Sequence, residues 1–93
     1  MKVVQKPLDE VERKDALGNK YILFLHNDDI NTFEFVIETL VDVCKHNEHQ
    51  AEQCAIITHY KGKCDIKHGQ VIELEPIMEE LHRRGLSASI NPN

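Results

Sequence analysis

The sequence lacks the features that mark membrane, secreted and nucleic-acid-binding proteins. No apolar run approaches the roughly 20 residues that a membrane helix needs, and the charged start MKVVQKPLDEVERK is unlike a signal peptide. Basic residues are the minority, 11 against 16 acids for a net charge of −5, which argues against docking on nucleic acid or an anionic membrane. We therefore expect a cytoplasmic protein whose partner offers a cationic group.

Cysteine is also too sparse for a disulfide or zinc scaffold. Cys44, Cys54 and Cys64 are an odd number and lie among apolar neighbours, which favours reduced packing thiols. Their ten-residue spacing matches no zinc pattern, since zinc needs pairs two to four residues apart. His46 and His49 could share a metal, but they straddle a helix break and nothing completes a site. We expect neither a metal nor a cofactor.

The chain is long enough for one small domain. A chain of 93 residues buries about 65% of its unfolded surface, which supports one modest core. Residues 1–18 mix both signs of charge, show no sustained apolar period and close on a turn signal at Gly18. We interpret residues 1–18 as a flexible N-terminal tail and residues 19–91 as the folded domain.

Strand and helix patterns alternate along this domain. Apolar runs or alternation predict strands over 21–25, 63–68 and 86–90. Spacings of three and four predict helices over 33–44, over about 48–61, and to residue 84 from either 71 or 74, because Pro76 disturbs the last helix start. The order β-α-α-β-α-β predicts an α+β fold, with three helices packed on a small, mainly antiparallel, three-stranded sheet.

The first two helices have marked starts and unequal inner faces. Asn31 with Glu34, and Asn47 with Gln50, have the spacing of capping boxes. Large apolar residues on the first helix face a stripe of small ones on the second, so that either the helices approach closely or a recess lies between them. The small stripe is Ala51, Cys54, Ala55 and Thr58.

The densest polar cluster is the turn Asn27-Asp28-Asp29. Asn and Asp form turns, and acids before a helix complement its dipole, so a purely structural role is one interpretation. Two adjacent carboxylates could also act as general acid and base, although no sequence neighbour supplies a polarising group. Cys54 and His59 could form a nucleophile and its base, but side chains at spacing i, i+5 point in different directions.

Three fragments together resemble the ClpS family, the adaptors of bacterial Clp proteases. They are the Asn-Asp-Asp turn at 27–29, the helix start TFEFV at 32–36 and the helix end HYKGK at 59–63. Their order and separation match the family over about residues 20–90. The resemblance implies a non-enzymatic adaptor that binds the free α-amino group and bulky apolar first residue of N-degron substrates. It implies delivery to a Clp-type AAA+ unfoldase, of the ClpA or ClpC type, and we expect a monomer when the adaptor is free.

The resemblance also implies a site in two parts. Asn27, Asp28 and His59 would hold the α-amino group, which is mostly protonated near pH 7. An adjoining pocket would take the first side chain, and its residues would be Ile30, Asn31, Phe33, Val36, Ala55, Thr58 and Leu86.

The chain departs from the family pattern at several positions. The family usually has Met where this chain has Phe33 and Ala55, which predicts a reshaped pocket. In the third helix, Ile72 and Ile77 replace an acid and a base that commonly face the ATPase, and Pro76 is unusual there.

Two other classes of function compete with the adaptor. One is a non-catalytic docking domain of the same fold, like the C-terminal domain of the ribosomal stalk protein, which binds partners through helix faces. Such a domain would not need Asn27, Asp28 and His59. The other is an enzyme that uses Cys54 with His59 or the paired carboxylates.

Overall fold

Residues 20–93, which the computed structural model describes, follow the predicted order of strands and helices. The fold is therefore the predicted α+β arrangement. The predicted tail, residues 1–18, and the domain start at residue 19 lie outside the described residues, so this boundary stays a prediction. The elements are β1 (Tyr21–His26), α1 (Phe33–Cys44), α2 (Glu48–Lys61), β2 (Lys63–Gly69), α3 (Val71–Arg83) and β3 (Ser87–Pro92).

The sheet has β1 in its centre, antiparallel to both β2 and β3. The wholly apolar run at 21–25 predicted a strand with at least one covered face, and the helices that pack on the sheet provide that cover. Alternate residues of a strand point to one face, and those that face the helices join one core. These residues are Leu23 and Leu25 in β1, Cys64 and Ile66 in β2, and Ala88 in β3.

Helix α1 begins with a different cap from the one that the sequence predicts. Thr32 is the N-cap, and its hydroxyl accepts a hydrogen bond from the Phe35 backbone N–H at 3.1 Å. The predicted cap at Asn31 is wrong because that side chain donates to partners outside the helix. The capping box with Glu34 is wrong too, since Glu34 is only the second helical residue after Thr32.

Helix α2 has both predicted ends. Asn47 is its N-cap, and the side-chain oxygen accepts from the Gln50 backbone N–H at 2.7 Å. Gly62 ends the helix in the left-handed region, with φ 94°, a conformation that glycine adopts without strain.

Helix α3 takes the earlier of its two predicted starts, at Val71, so Pro76 lies inside the helix. A capping box explains why the helix begins there despite the proline. Glu73 accepts from the Gln70 backbone N–H at 3.0 Å, and the Gln70 side chain caps in return. This reciprocal pair satisfies the backbone N–H groups of Gln70 and Glu73. A helix that began at Leu74 would not use these capping hydrogen bonds.

The small stripe of α2 is buried, as predicted, from Ala51 to Thr58. On the opposing helix only part of the apolar stripe is covered. Leu40 and Cys44 are buried, whereas Phe33 remains 40% exposed and Val41 37% exposed. The two helices therefore pack closely along part of their length, and the first turn of α1 is left uncovered beside the end of α2.

All three cysteines are buried free thiols, which confirms the prediction of packing residues. Burial raises the pKa of Cys44 to about 11. Burial also raises the pKa values of Cys54 and Cys64, whose thiols lie close enough to influence each other. Because the thiolate is the nucleophile, these thiols are poorly suited to nucleophilic catalysis at neutral pH.

Two further properties concern only residues 20–93. No helix there is long and apolar enough to cross a membrane, and no three His, Cys, Asp or Glu side chains converge as metal ligands would. His46 is a buried core residue whose Nε2 donates to the Ile66 carbonyl oxygen at 2.9 Å.

Raising the pH is expected to destabilise the fold through Cys44. The folded protein holds this proton more tightly, since the pKa of about 11 lies above the ordinary value of 9.0. The contribution of Cys44 to the free energy of unfolding is therefore fully present below about pH 9, and it declines as the pH rises further. Urea unfolding at about pH 7.5 and pH 10 measures the decline. Cys44→Ala should be less stable at pH 7.5 but should decline less, and an equal decline would contradict this assignment.

Candidate functional site

A recess opens where the β1–α1 turn, the last turns of α2 and the residue before β3 meet. It measures about 380 Å³ when the open solvent at its mouth is included, and a water-sized sphere can move through about 50 Å³ of it. Its lining residues are Leu25, His26, Asn27, Asp28, Asn31, Phe33, Val36, Ala55, Thr58, His59 and Leu86.

The structure brings together nine of the ten site residues that the sequence analysis names. The exception is Ile30, whose side chain is 90% exposed and does not line the recess. Sequence reasoning missed Leu25 and His26, at the end of β1. Their only signal was their position directly before the polar turn. The His26 Nε2 lies 2.6 Å from the Ser89 hydroxyl, which links this end of β1 to β3.

Asp28 closes the turn that enters α1. Its Oδ1 accepts hydrogen bonds from the backbone N–H groups of Ile30 and Asn31, at 2.9 and 2.8 Å. Its Oδ2 accepts from the Asn31 side-chain amide at 3.1 Å. The structural interpretation of the turn is therefore correct, and the same carboxylate also lies in the wall of the recess.

These hydrogen bonds lower the pKa of Asp28. Partial burial is the largest single influence and raises the pKa of Asp28, but the hydrogen bonds from Asn31 and Ile30 together outweigh it, so the pKa lies below its ordinary value. Each hydrogen bond favours the charged carboxylate. The recess thus carries a fixed negative charge at neutral pH.

Asn31 ties this turn to the opposite side of the recess. Its side-chain amide donates both to Asp28 and to the Gly85 carbonyl oxygen, the latter at 2.9 Å across 54 positions of sequence. Gly85 precedes Leu86, which lines the recess. One amide group therefore fixes the distance between the anionic turn and an apolar wall.

The end of α2 joins the same turn through the backbone. The Asn27 N–H donates to the Gly62 carbonyl oxygen at 2.9 Å, which holds the turn beside the last turn of α2. His59 lies in that last turn, and its ring contacts the Phe33 ring edge-to-face with centroids 5.8 Å apart. Asn27, Asp28 and His59 therefore lie around one opening, although they come from two segments.

The inner wall of the recess is apolar in character. Ala55 is buried at 3% exposure and leaves space that a longer side chain would fill. The hydroxyl of Thr58 donates to the Cys54 carbonyl oxygen at 2.8 Å, so its only donor is used inside the helix. The recess can therefore accept an apolar group within and a cationic group beside Asp28.

The proposed nucleophile pair is not assembled in this structure. Cys54 is 4% exposed and does not line the recess that His59 lines. Its thiol faces the core shared with β2, where Cys64 lies close to it. Within residues 20–93, the geometry offers a binding recess with a charged rim and does not pair Cys54 with His59.

Fold and recess together define a small α+β binding domain, and comparison with known proteins supplies its family. The profile of the family "ATP-dependent Clp protease adaptor protein ClpS" matches residues 17–89. The chain belongs to the ClpS family of Clp protease adaptors, which are adaptors and not proteases. This assignment takes the place of the ribosomal-stalk alternative.

Individual relatives agree with the family profile. The ATP-dependent Clp protease adapter protein ClpS of Synechococcus elongatus is 31% identical over 99 residues, covering 100% of this chain and 97% of the relative. The protein of the same name from Desulforapulum autotrophicum is 33% identical over 61 residues, covering 66% and 59%. The structure of Agrobacterium tumefaciens ClpS2 bound to L-phenylalaninamide shares the fold, with a TM-score of 0.68 at 20% identity, covering 81% of this chain and 98% of that one.

Asn31→Ala is expected to raise the pKa of Asp28 and to loosen the recess. The substitution removes one donor to the carboxylate and the link to Gly85, at a cost of about 1–2 kcal/mol in the free energy of unfolding. An NMR titration of the Asp28 carboxyl carbon measures the pKa. Thr32→Ala is the matched control, because losing the helix cap costs about 1 kcal/mol without touching Asp28. Equal Asp28 pKa values in both variants would contradict the role given to Asn31.

Proposed function

We propose that this chain binds the free α-amino group and the bulky apolar first side chain of N-degron substrates. It then delivers these substrates in the cytoplasm to a Clp-type AAA+ unfoldase, of the ClpA or ClpC type, for degradation. One observation carries the proposal. An ionised carboxylate, Asp28, lies in the wall of the same recess as the apolar side chains of Phe33, Val36 and Leu86.

The amine half of the site would consist of acceptors. A carboxylate offers about four acceptor positions, and Asp28 uses three of them within its turn. The fourth, together with the negative charge, suits a protonated α-amino group, because charge-assisted hydrogen bonds are the stronger kind. The side-chain carbonyl of Asn27 and a neutral nitrogen of His59 would supply the remaining acceptors.

The side-chain half of the site would be the apolar interior. A first residue would place its side chain against Val36, Ala55 and Thr58, while its α-amino group stays at the rim. The similarly folded Agrobacterium tumefaciens ClpS2 was solved bound to L-phenylalaninamide, a compound with a free α-amino group and an aromatic side chain. A ligand of that chemistry supports the same division of the recess in this chain.

Delivery would use a surface that differs from the family pattern on α3. Of the two positions where the family commonly has charged residues, Ile72 is 81% exposed, whereas Ile77 packs against the core. Only Ile72 would therefore be available to a partner at those two positions. The proposed contact with the unfoldase would be more apolar there than in most relatives.

Binding should depend on a free amino terminus. A peptide that begins with Phe should bind, and its N-acetylated form should bind at least about fivefold more weakly, because acetylation removes the charge opposite Asp28 at a cost of roughly 1–3 kcal/mol or more. Isothermal titration calorimetry measures both dissociation constants. Asp28→Asn should weaken binding of the free peptide. Asp29→Asn should leave that binding unchanged, because Asp29 is the neighbouring exposed acid and lies outside the recess. Equal binding of free and acetylated peptides would refute the proposed amine site.

The recess should prefer flat or unbranched first side chains. Phe, Tyr, Trp and Leu are expected to bind, the aromatics best, because Val and Ile carry a branch at Cβ beside the rigid ring of Phe33. Ala55→Met should fill the interior of the recess. It should weaken the binding of Trp-initiated peptides most, through overpacking of roughly 1–3 kcal/mol. Fluorescence anisotropy across a series of first residues measures the preference. Equal losses for Trp and Leu, or Val binding as well as Phe, would show that Ala55 and Phe33 do not shape the pocket.

A further inference from the structure

Tyr60 is a large aromatic residue left 79% exposed in the last turn of α2. Its ring nevertheless packs on that of His59, with centroids 4.9 Å apart and planes at 81°. Adjacent residues of a helix do not face each other, so this contact requires the two side chains to fold toward each other at the helix end. Packing of the core does not explain why this exposed ring lies against His59.

A second ring completes a row of three. Phe33, from the first turn of α1, contacts His59 at 5.8 Å with planes at 84°. Both distances lie within the range in which edge-to-face aromatic pairs attract each other. The imidazole of His59 is therefore held between one ring at the mouth of the recess and one ring outside it.

In the described part of the chain, ring contacts rather than hydrogen bonds orient the His59 side chain. Within residues 20–93, the imidazole of His59 has no hydrogen bond to the protein, whereas those of His26, His46 and His82 each have one. An imidazole fixed by hydrogen bonds would have a nitrogen already engaged. The aromatic contacts instead orient His59 and leave both of its nitrogens available to a ligand.

We propose that Tyr60 is a positioning residue that holds His59 ready for the α-amino group of a substrate, an inference that rests on the proposed function. Tyr60 does not line the recess, so it acts through His59. Without the Tyr60 ring, the imidazole is held from one side only and can rotate away from the amine. An edge-to-face pair of this kind corresponds to a change in affinity of about two- to tenfold.

Three variants separate this role from a general effect on the surface. Tyr60→Leu removes the ring but keeps an apolar residue of good helix propensity, and Tyr60→Phe keeps the ring. Ile57→Ala is the matched control, since Ile57 is also an exposed apolar residue of α2, 39% exposed, but does not line the recess. The probes are one Phe-initiated pentapeptide with a free amino terminus and its acetylated form.

The measurements are the two dissociation constants and, without peptide, the NMR shifts of the carbon-bound His59 ring protons. Tyr60→Leu should bind the free peptide about two- to tenfold more weakly, with little change for the acetylated one. It should also shift the His59 resonances, since the ring current of Tyr60 is lost. Tyr60→Phe and Ile57→Ala should bind like the parent protein.

Two outcomes overturn the proposal in distinguishable ways. If the parent protein distinguishes free from acetylated peptide and Tyr60→Leu does so equally well, Tyr60 does not position His59 and the proposed function stands. If the parent protein itself makes no distinction, the proposed function fails and the role of Tyr60 fails with it. A loss in Tyr60→Phe as large as in Tyr60→Leu would assign the effect to the hydroxyl and also overturn the proposal.

Discussion

The hydrogen bonds that the Asp28 carboxylate accepts from its own turn hold the rest of the site in place. They stop the chain from extending β1, direct it into α1 and orient the Asn31 amide toward Gly85. They also lower the pKa of Asp28, so the recess keeps its charge. From the sequence alone, a structural role and a binding role are alternative interpretations of this turn. In the folded chain, one carboxylate can serve both, because its acceptor positions exceed what the turn uses.

Local patterns were sufficient to predict most of the fold. The apolar run of β1, the small stripe of α2, and the ends of that helix at Asn47 and Gly62 all depend on neighbours within a few residues. The start of α1 could not be predicted in this way. Asn31 is a good cap by composition, but its amide is engaged by Gly85, 54 positions away, and Thr32 takes its place. Such a competition between local and distant partners is not visible in the sequence.

The recess was harder to predict from the sequence than the fold. Its residues come from the end of β1, the turn that follows it, the start of α1, the last turns of α2 and the residue before β3, so no period connects them. The family resemblance supplied nine residues of the recess, whereas Leu25 and His26 were missed because they belong to the strand pattern. Ile30 was misplaced beside them because the Asp28 turn directs its side chain to solvent, where it is 90% exposed.

The hydrogen bond from the Asn27 N–H to the Gly62 carbonyl oxygen joins main chain to main chain. It fixes the spacing between the segments that carry Asn27 and His59 without help from any side chain in the recess. The interior position Ala55 can therefore change while that spacing persists. Under the proposed function, evolution could therefore change which first residue is preferred and leave recognition of the chain end intact, because the two proposed tasks use different residues of one opening.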